Sequence, residues 1–451
     1  FSSLFSIVGI KNHEDPDEGE WKWKGRVVLG GHNIKTAMGE KAIFTGSSST
    51  PSSMEAARML VALKALFPDL NLWQSDCIRA YVQARMTGPK TFVRLPKKWW
   101  PPEWIKMGLI DPVCEMLMAL YGHPKAGDIW NEKIHDVLIA EGFETIEGWP
   151  GVYVKGAGTP DFILFVLYVD DLIMLGGKTL RPLIERIRVF IEMEDPADMN
   201  KYLGCRHRIT TTGEIGSRIT TVEMDMSDYF RSAFLAYEGA TGLTLKNVSS
   251  PFPPDLAKEE ALRMIETPGR FAKDAPSYMM RLLYGSRMAH PLIAVAVQRL
   301  SCNFTKWTAE CDRRMHRLFC YLYTVQDEIL TGSLCESDVS CINLIAWPDA
   351  DLNGDSMTTK STSGFFQELA GADGRGIPLA WGCKRQGATS SHTCEAETCS
   401  LSSALRSEVI PKQGLLEYVL GMPIPAKLME DNAATIISCT KGYSPAMRYL
   451  A

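Results

Sequence analysis

Hydrophobic and polar positions alternate with two different periods in the first half of the chain. Apolar residues recur at helical spacing in MEAARMLVALKALF, CEMLMALYG, IWNEKIHDVLIAEGF and residues 178–193, and Gly142 is expected to close the third of these helices. Short apolar runs, which are typical of strands, occur in WKWKGRVVLGG, NLWQSD, GVYVK, DFILFVLYV and LIMLGG. Prolines predict a loop at KKWWPPEW, and polar residues predict loops at residues 14–20 and 47–53.

The second half of the chain is predicted to be helical at first and mixed thereafter. Helices are expected over residues 226–237 and 276–326, on either side of the proline-rich connector SSPFPPD. The small and polar stretch GSLCESDVS predicts a second break near residues 331–340. Short strands follow, with a helix from about Thr393 to Ser407 and a strand near Lys427 to Met429. The pattern therefore predicts an α+β module, a helical connector and a final mixed α/β domain.

Length and composition describe a multidomain globular chain. The 451 residues predict about two to four domains, and a hydrophobic content of 45% supplies enough apolar side chains for their cores. No apolar run reaches the ~18 residues that a membrane span needs. Twelve cysteines without a CxxC pair favour free thiols in a reducing compartment. A net charge of −5 argues mildly against a nucleic-acid partner, although a basic groove can coexist with acidic outer surfaces.

The sharpest local feature is the tetrad Tyr168-Val169-Asp170-Asp171, which lies between the apolar runs FILFVL and LIMLGG. Two adjacent carboxylates at a hairpin tip repel each other, and a divalent cation relieves that repulsion. Asp76, which ends the strand pattern LWQSD, could supply the third carboxylate of a two-metal phosphoryl-transfer site. The alternatives are a solvated hairpin turn for the Asp pair and a helix N-cap for Asp76.

A series of motifs runs in collinear order from Trp23 almost to the end of the chain. The motifs are KGRVVLGG, QSDCIRAYVQ, FVRLP, VCEMLMALYGHPKAGDIW, YVDDLIM, MNKYLGCRHRI and YMMRLLYGSRMAHPLIAVAVQRLS. The series resembles the copia-type reverse transcriptases, and it is specific as a whole, although YVDD alone is a weak signal. The resemblance implies a right-hand polymerase with fingers and palm over residues 1–245, and a helical thumb or connection over residues 246–335.

The resemblance also implies roles for individual residues. Asp76, Asp170 and Asp171 would bind Mg²⁺ or Mn²⁺, with Asp76 and Asp170 bridging both ions. Lys24 and Arg26 would lie over the triphosphate and neutralise its charge. Tyr81 would be the steric gate that rejects a 2′-hydroxyl. The plain alternatives are solvated strand charges for the two cations and a core aromatic for Tyr81.

Three positions depart from the copia pattern. Lys125 stands where the family has the glutamine that contacts the incoming nucleotide, and Gly127 replaces a proline. A lysine can contact nucleotide or template phosphate, but it cannot reproduce the paired donor and acceptor of an amide. Glu194 stands where the family often has lysine, near the end of the helix after YVDD. These changes bear on activity rather than on fold.

A second carboxylate constellation lies in the last hundred residues. AWPDADLNGD, TKSTSGFF, LAWGCKRQ, SSHTCEAETCSLSSAL and KLMEDNAATI resemble, in order, the copia ribonuclease H motifs. The resemblance implies metal ligands at Asp349, Glu397 and Asp431, with Asp351 and Glu395 as alternatives. Glu395 and Glu397 are two apart on a helix, so only one of them can point into a site. Pro348 stands in the first strand, where a backbone donor is expected.

The resemblance implies the function of the whole chain. We expect an RNA-directed DNA polymerase that extends a DNA primer on an RNA template with deoxynucleoside triphosphates. Residues 340–451 would be a ribonuclease H-like domain acting on RNA–DNA hybrids. It should be incomplete, because the chain stops at MRYLA before the family's fourth carboxylate, and FSSLFSIVGI suggests a start inside a larger product. No membrane partner is expected, and the place of action would be a cytoplasmic retroelement particle or the nucleus.

A decayed element product that binds nucleic acid without catalysis is the rival hypothesis. The intact Asp76, Asp170 and Asp171 favour the enzyme, whereas Lys125, Gly127 and Glu194 favour decay. An unrelated α+β protein would explain neither series of motifs.

Overall fold

The computed structural model describes residues 1–11, 19, 21–44, 52–354 and 359–442. Most of the predicted loops at residues 14–20 and 47–53, and the MRYLA end, lie outside the described residues. The chain divides into two compact units, one formed by residues 1–60 and 70–198, the other by residues 61–69 and 199–451. Both units combine helices and strands, so the architecture is mixed α/β.

The first unit contains ten strands and four helices among its described residues. The strands are β1 (Ser2–Lys11), β2 (Lys22–Leu29), β3 (Asn71–Asp76), β4 (Phe92–Arg94), β5 (Val113–Glu115), β6 (Glu144–Ile146), β7 (Trp149–Lys155), β8 (Ile163–Tyr168), β9 (Asp171–Gly176) and β10 (Ala197–Asp198). The helices are α1 (Met54–Leu66), α2 (Pro102–Lys106), α3 (Ala126–Ala140) and α4 (Leu180–Ile187), and the division between the units falls within α1. A short 3₁₀-helix, Ala80–Gln83, follows β3.

Two sheets form the frame of the first unit. The larger one has the strand order β10-β3-β9-β8-β7-β6, and the smaller one has the order β2-β1-β4-β5. The apolar runs of β8 and β9 are buried, as central strands covered on both faces require. Apolar side chains of α3 and α4, including Trp130, Leu138 and Ile184, pack with Phe165 and Met174 of the sheet in one core.

The second unit holds the remaining elements. Its strands are β11 (Lys201–Tyr202), β12 (Cys205–Thr212), β13 (Ile219–Asp225), β14 (Leu330–Cys335), β15 (Asn343–Asp351), β16 (Thr362–Ala370), β17 (Gly376–Arg385) and β18 (Ala426–Leu428). Its helices are α5 (Ser227–Thr241), α6 (Lys258–Glu266), α7 (Ala275–Ala289), α8 (Ala294–Ser301), α9 (Ala309–Thr324), α10 (Thr393–Ala404), α11 (Ile410–Leu420) and α12 (Ala433–Lys441). A π-helical turn, Leu405–Val409, joins α10 to α11.

The sheets of the second unit have the orders β11-β12-β13-β14 and β17-β16-β15-β18. In the latter sheet, β15 pairs antiparallel with β16 along its whole length and parallel with the short β18. The strand runs through Pro348 without interruption. Pairing with β18 reaches only Ala346, so at Pro348 one side of β15 has no strand partner among the described residues, and proline is tolerated at such a position.

Most of the elements predicted from the hydrophobic pattern are confirmed. The strands at NLWQSD and ILFVLY, the helices over Met54–Leu66 and Ala126–Ala140, and the helix that begins at Thr393 are present. The helix predicted over residues 178–193 is shorter in the structure, where it spans Leu180–Ile187. KKWWPPEW is not wholly a loop, since the short α2 begins at Pro102 and proline suits the first turn of a helix.

Two predictions were wrong. CEMLMALYG is not a helix: it enters β5 and then runs irregularly, because its backbone bonds distant segments, as in the Met86 N–H to Leu117 carbonyl bond of 3.0 Å. The predicted break near residues 331–340 contains β14, which pairs with β13. Gly332 lies so close to the backbone of Gly376 that a side chain would not fit there, so the glycine marks close packing rather than a loop.

No helix in the described parts of the chain is long and apolar enough to span a membrane.

Candidate functional site

Three aspartates meet at one end of the larger sheet of the first unit. Asp76 ends β3 and lies directly opposite Asp171, the first residue of β9. Asp170 occupies the two-residue turn between β8 and β9, where Tyr168 pairs with Asp171. The Cys77 N–H donates to the Asp170 carbonyl at 2.7 Å, which ties the turn to the segment after β3. The strand register therefore brings the three predicted acids together.

The charges of all three acids affect the pKa of the buried Cys77 thiol. Burial raises the pKa of Cys77, and the charges of Asp76, Asp170 and Asp171 raise it further. The three side chains are each half-buried. Among the residues that the structure describes, however, their oxygens are not drawn into a trio within 4.8 Å, the spacing that a shared cation would impose.

The hairpin turn that contains Asp170 is strained, and a hydrogen bond from α3 holds it in place. Val169 has φ +60°, a left-handed conformation that β-branched residues rarely adopt and that the first position of a tight hairpin turn requires. Trp130 of α3 is fully buried, and its indole N–H donates to the Val169 carbonyl at 2.6 Å. The helix thus fixes the backbone next to Asp170.

Tyr81 lies on the 3₁₀-helix that follows Asp76. Arg79, at φ +53°, precedes this helix, and the Gln83 side chain donates to the Ile78 carbonyl before the helix and to the Glu192 carbonyl of a distant segment. Burial raises the pKa of the Tyr81 hydroxyl, and the Asp170 carboxylate raises it further. Tyr81 is therefore a half-buried ring close enough to Asp170 to be affected by its charge.

Tyr121 is a site residue that the sequence analysis missed. Its ring centroid lies 4.6 Å from that of Tyr81, and the Arg26 guanidinium lies 5.4 Å above the Tyr121 ring. The pKa of Tyr121 is raised to about 12 by burial and by Asp170, while Arg26 acts in the opposite direction. Arg26, Tyr121 and Tyr81 thus form a continuous wall next to Asp170.

Close backbone packing brings Arg26 to this wall. The Leu29 N–H donates to the Tyr121 carbonyl at 2.8 Å. A side chain on Gly31 would collide with the Gly122 carbonyl, and a side chain on Gly122 would collide with the carbonyl of Leu29, the last residue of β2. Lys24 stands two residues before Arg26 and hence on the same face of β2, where it is exposed. The tyrosine could have been suspected only by treating ALYG as a close-packed turn rather than a helix.

Lys125 and Tyr81 line one cleft of about 730 Å³ in the first unit, together with Gly127, Asp128 and His123. Lys125 is the N-cap residue of α3, and its ammonium lies 3.5 Å from the Asp128 carboxylate. The lysine is thus close to the predicted nucleotide site but is not part of the Arg26–Tyr121–Tyr81 wall.

Glu194 lies beside Asp76, because its N–H donates to the Asp76 carbonyl at 2.9 Å. A negative side chain therefore stands where the family often has a positive one.

The second constellation is a compact trio in the second unit. Asp349 lies near the end of β15, Glu397 on α10 and Asp431 three residues after β18. One carboxylate oxygen of each lies within 4.8 Å of the other two, and this trio is the one group among the described residues with the spacing of metal ligands. The Ser400 hydroxyl donates to the Asp349 and Gly364 carbonyls, at 2.8 and 3.1 Å, and so fastens α10 to the sheet.

The two alternative ligands have other partners. Asp351 forms an ion pair with Arg299. Glu395 lies at the start of α10, where its carboxylate accepts the Ser391 N–H at 2.8 Å and its own N–H donates to His392. Glu395 therefore interacts with the backbone at the helix N-terminus, while Glu397, two residues further along the helix, points into the trio.

Glu397 is the member of the trio whose charged form is most disfavoured by its surroundings. Its side chain is only 4% exposed, and its Oε2 atom has no hydrogen-bond donor among the described residues. Burial raises its pKa to about 7, with further contributions from Glu430, Asp349 and Asp431, against a hydrogen bond from the Ala350 backbone. A buried carboxylate oxygen without a donor, beside two more carboxylates, is a donor set that fits a hard divalent cation.

Comparison with known proteins agrees with the motif series. A family model described as reverse transcriptase (RNA-dependent DNA polymerase) matches residues 8–222. The transposon Ty5-1 protein of Saccharomyces cerevisiae is 27% identical over 315 residues, which cover 68% of this chain and 92% of that protein. The retrovirus-related Pol polyprotein from transposon TNT 1-94 of Nicotiana tabacum is 24% identical over 420 residues, 88% of this chain but 28% of the polyprotein.

Among solved structures, the Prototype Foamy Virus protease-reverse transcriptase matches with 11% sequence identity and a TM-score of 0.24, covering 97% of this chain and 45% of that one. That global similarity is too low to relate the two folds in detail. The sequence match to the reverse transcriptase model includes Asp76, Asp170 and Asp171, and both matching relatives are transposon proteins. The chain therefore belongs to the copia-type retrotransposon polyproteins, and residues 8–222 are its reverse transcriptase domain.

Proposed function

We propose that this chain copies RNA into DNA at the sheet end where Asp76, Asp170 and Asp171 meet. The observation that carries the proposal is the β3–β9 register, which sets Asp76 opposite Asp171 and leaves Asp170 in the adjoining turn. These carboxylates would hold Mg²⁺ or Mn²⁺, which would stabilise charge on the attacking and leaving oxygens of nucleotidyl transfer.

The wall beside the acids gives the incoming deoxynucleoside triphosphate its place. Arg26 and Lys24 share one face of β2, and both would neutralise triphosphate oxygens. Tyr81, packed against Tyr121, would block a 2′-hydroxyl by its bulk. Lys125 would contact nucleotide or template phosphate from the neighbouring cleft, in competition with its pairing to Asp128.

The rest of the chain would serve the same nucleic acid. We propose fingers and palm over residues 1–245, a thumb or connection over residues 246–335, and a ribonuclease H-like domain over residues 340–451. In that last domain Asp349, Glu397 and Asp431 would hold the metal ions for hydrolysis of RNA in RNA–DNA hybrids. RNA template, DNA primer and hybrid are then the partners, and a cytoplasmic retroelement particle or the nucleus is the place of action.

Primer extension tests the polymerase proposal. The chain should extend a DNA primer on an RNA template with Mg²⁺ or Mn²⁺, and Asp170→Asn should abolish extension. Asp198→Asn is a matched control, because Asp198 lies at the sheet edge on β10 and bonds the Trp73 indole. Equal extension by the wild type and Asp170→Asn would refute the assignment of the site.

The second candidate function is nucleic-acid binding without catalysis. The observation that favours it is the absence, within the described part of the chain, of a close oxygen trio from Asp76, Asp170 and Asp171. Binding of a primer–template duplex without extension, at any divalent-cation concentration, would decide for this alternative.

A further inference from the structure

Three tryptophans and two lysines lie together on the first unit, in the segment KKWWPPEW, which has no part in the proposed catalytic site. Trp99 ends the 3₁₀-helix Lys97–Trp99, and Trp104 lies in the middle of α2. Trp100 lies between these two helices. All three indoles are only partly buried, and both lysines are exposed. We call these residues the tryptophan–lysine patch: Lys97, Lys98, Trp99, Trp100 and Trp104.

The local backbone holds the rings of the patch in place. The Trp100 indole N–H donates to the Leu95 carbonyl at 3.0 Å. The Trp104 ring meets the Trp100 ring edge-on, with 6.3 Å between their centroids. Pro101 and Pro102 separate the two helices, and proline fixes the backbone angle φ. The patch is therefore a preformed aromatic surface, and its rings lose little conformational freedom when a ligand packs on them.

The charge of the patch is opposite to that of the chain. Residues 97–106 contain three lysines and one glutamate, a net charge of +2, whereas the whole chain has −5. Lys97 Nζ lies 5.9 Å from the centroid of the Trp100 ring, and Lys98 Nζ lies 5.8 Å from that of the Trp99 ring. Within the described ranges, neither lysine is paired with a carboxylate. Weak contacts with ring faces are thus what holds these two cations, which suits them to an anionic partner.

We propose that the tryptophan–lysine patch binds single-stranded nucleic acid, with bases stacked on the indoles and backbone phosphates on the lysines. Base faces are covered in a duplex and open in a single strand, so aromatic rings beside cations favour single strands. A lysine that moves from an indole to a phosphate leaves the ring face to a base. The proposal deepens the proposed polymerase function, on which it rests for its partner, the unpaired part of the template.

An anionic membrane surface is the other partner that tryptophans and lysines together would fit. Tryptophans that enter a membrane have to project from the protein surface. The rings of the patch are instead partly buried, and the Trp100 indole is tied to the backbone of Leu95. Rings fixed in this way present a face for stacking, which favours nucleic acid as the partner.

Binding of labelled oligonucleotides to the full chain tests the proposal without catalysis. The probes are fluorescein-labelled oligo(dT), oligo(rU) and a blunt-ended duplex of the same length, followed by anisotropy in EDTA. Trp99→Leu keeps an apolar side chain but removes the ring, and Lys98→Gln removes one exposed charge. Lys178→Gln is the matched control, because Lys178 is an exposed lysine of the same unit and loses the same charge.

We expect the wild type and Lys178→Gln to bind the single strands equally. Trp99→Leu should bind them about tenfold more weakly, as for the loss of one stacked base, and should bind the duplex as the wild type does. Lys98→Gln should reduce the slope of log affinity against log salt concentration by about 0.7, the value for one phosphate contact on a single strand. Unchanged single-strand binding by both variants would overturn the proposal and leave the polymerase function standing.

Two further outcomes identify the partner. Sedimentation with vesicles of equal parts phosphatidylcholine and phosphatidylserine should not depend on Trp99 or Lys98. If it does, while oligonucleotide binding does not, a membrane surface replaces nucleic acid as the partner and the proposal fails. A wild type that binds neither the single strands nor a primer–template duplex would overturn the proposed function itself. The exposed Lys98 position keeps the test decisive even if Trp99→Leu does not fold.

Discussion

Replacing Trp130 by phenylalanine should release the hairpin that carries Asp170. The indole N–H donates to the Val169 carbonyl at 2.6 Å, and the side chain is fully buried. Phenylalanine keeps a ring in the core but leaves that carbonyl without its donor, which costs about 1–3 kcal/mol. The smaller ring leaves a gap worth about 1 kcal/mol more. The variant should therefore lose about 2–4 kcal/mol.

The expected loss of stability exceeds the strain energy of the turn that this hydrogen bond helps to maintain. A non-glycine residue in the left-handed region, such as Val169 at φ +60°, costs about 1–3 kcal/mol and persists only when its surroundings enforce it. Without the indole the turn can relax and carry Asp170 with it. A displacement of about 1 Å in a catalytic group can reduce the rate about 100-fold.

Two measurements on Trp130→Phe check these steps. The first unit should melt about 10 °C lower, because about 3 kcal/mol corresponds to that shift in a unit of this size. Primer extension on an RNA template should slow about 100-fold. Trp23→Phe is the control, since Trp23 is 78% exposed on β2. Unchanged melting would refute the hydrogen-bond argument, and lower melting with full extension would refute the strain argument.

Four further predictions concern the two acid centres. Tyr81→Val should raise ribonucleotide incorporation relative to deoxynucleotide at least about tenfold, whereas Tyr81→Phe should not, because the gate acts by bulk; equal ratios in single-nucleotide extension would exclude the gate. Arg26→Ala should raise the KM for deoxynucleoside triphosphate about tenfold or more, with partial recovery in Arg26→Lys; an unchanged KM would separate Arg26 from the triphosphate. Because the pKa of Glu397 is raised to about 7, a cation must displace a proton from this carboxyl at lower pH, and Mn²⁺ affinity at the trio should therefore rise up to pH 7 and level off above it. In the absence of cations, stability should change in the opposite direction, because the folded state binds this proton more tightly than the unfolded state. The contribution of Glu397 to stability is then lost as pH rises through 7, and a flat thermal-melting profile in EDTA between pH 5 and 8 would contradict the raised pKa.

The hairpin with the aspartate pair could be predicted from the sequence because its information is local. FILFVL and LIMLGG are both strongly apolar, and two residues separate the strands they form. A two-residue connection leaves an antiparallel hairpin as the natural outcome. The burial of β8 and β9 in the centre of a sheet follows from the same runs.

Tyr121 could not be predicted in the same way, because its position depends on distant segments. The apolar spacing of CEMLMALYG is compatible with a helix, and no local signal contradicts that. What decides the conformation is the partner of each backbone group, such as the Leu29 N–H on the Tyr121 carbonyl. Tertiary hydrogen bonds of this kind override local propensity.

The sequence could settle only part of the choice between Glu395 and Glu397 as a metal ligand. Their spacing shows that one of them must leave the site, but not which. The structure decides through the helix start: His392 is the N-cap residue and Glu395 is three positions later, where an acidic side chain returns to the backbone before the helix. Histidine is an unusual N-cap residue, so the capping pattern was weakly marked in the sequence.

The two acid centres differ in how their carboxylates are anchored, and this difference explains their different spacing. In the second unit, Asp349 lies on a strand, Glu397 on a helix and Asp431 in the segment after β18, and Ser400 fastens α10 to the sheet. Their oxygens stay close although they repel, and burial, together with this repulsion, raises the pKa of Glu397.

In the first unit, the three aspartates are half-buried on two strand ends and a strained turn. Their backbones are fixed by the strand register, but in the described part of the chain their oxygens do not form a trio within 4.8 Å. The backbone geometry of this centre is therefore preformed while its oxygen geometry is not. A cation at this centre would have to draw the three carboxylates together, whereas a cation at the second centre would meet oxygens that the fold already holds within 4.8 Å of one another.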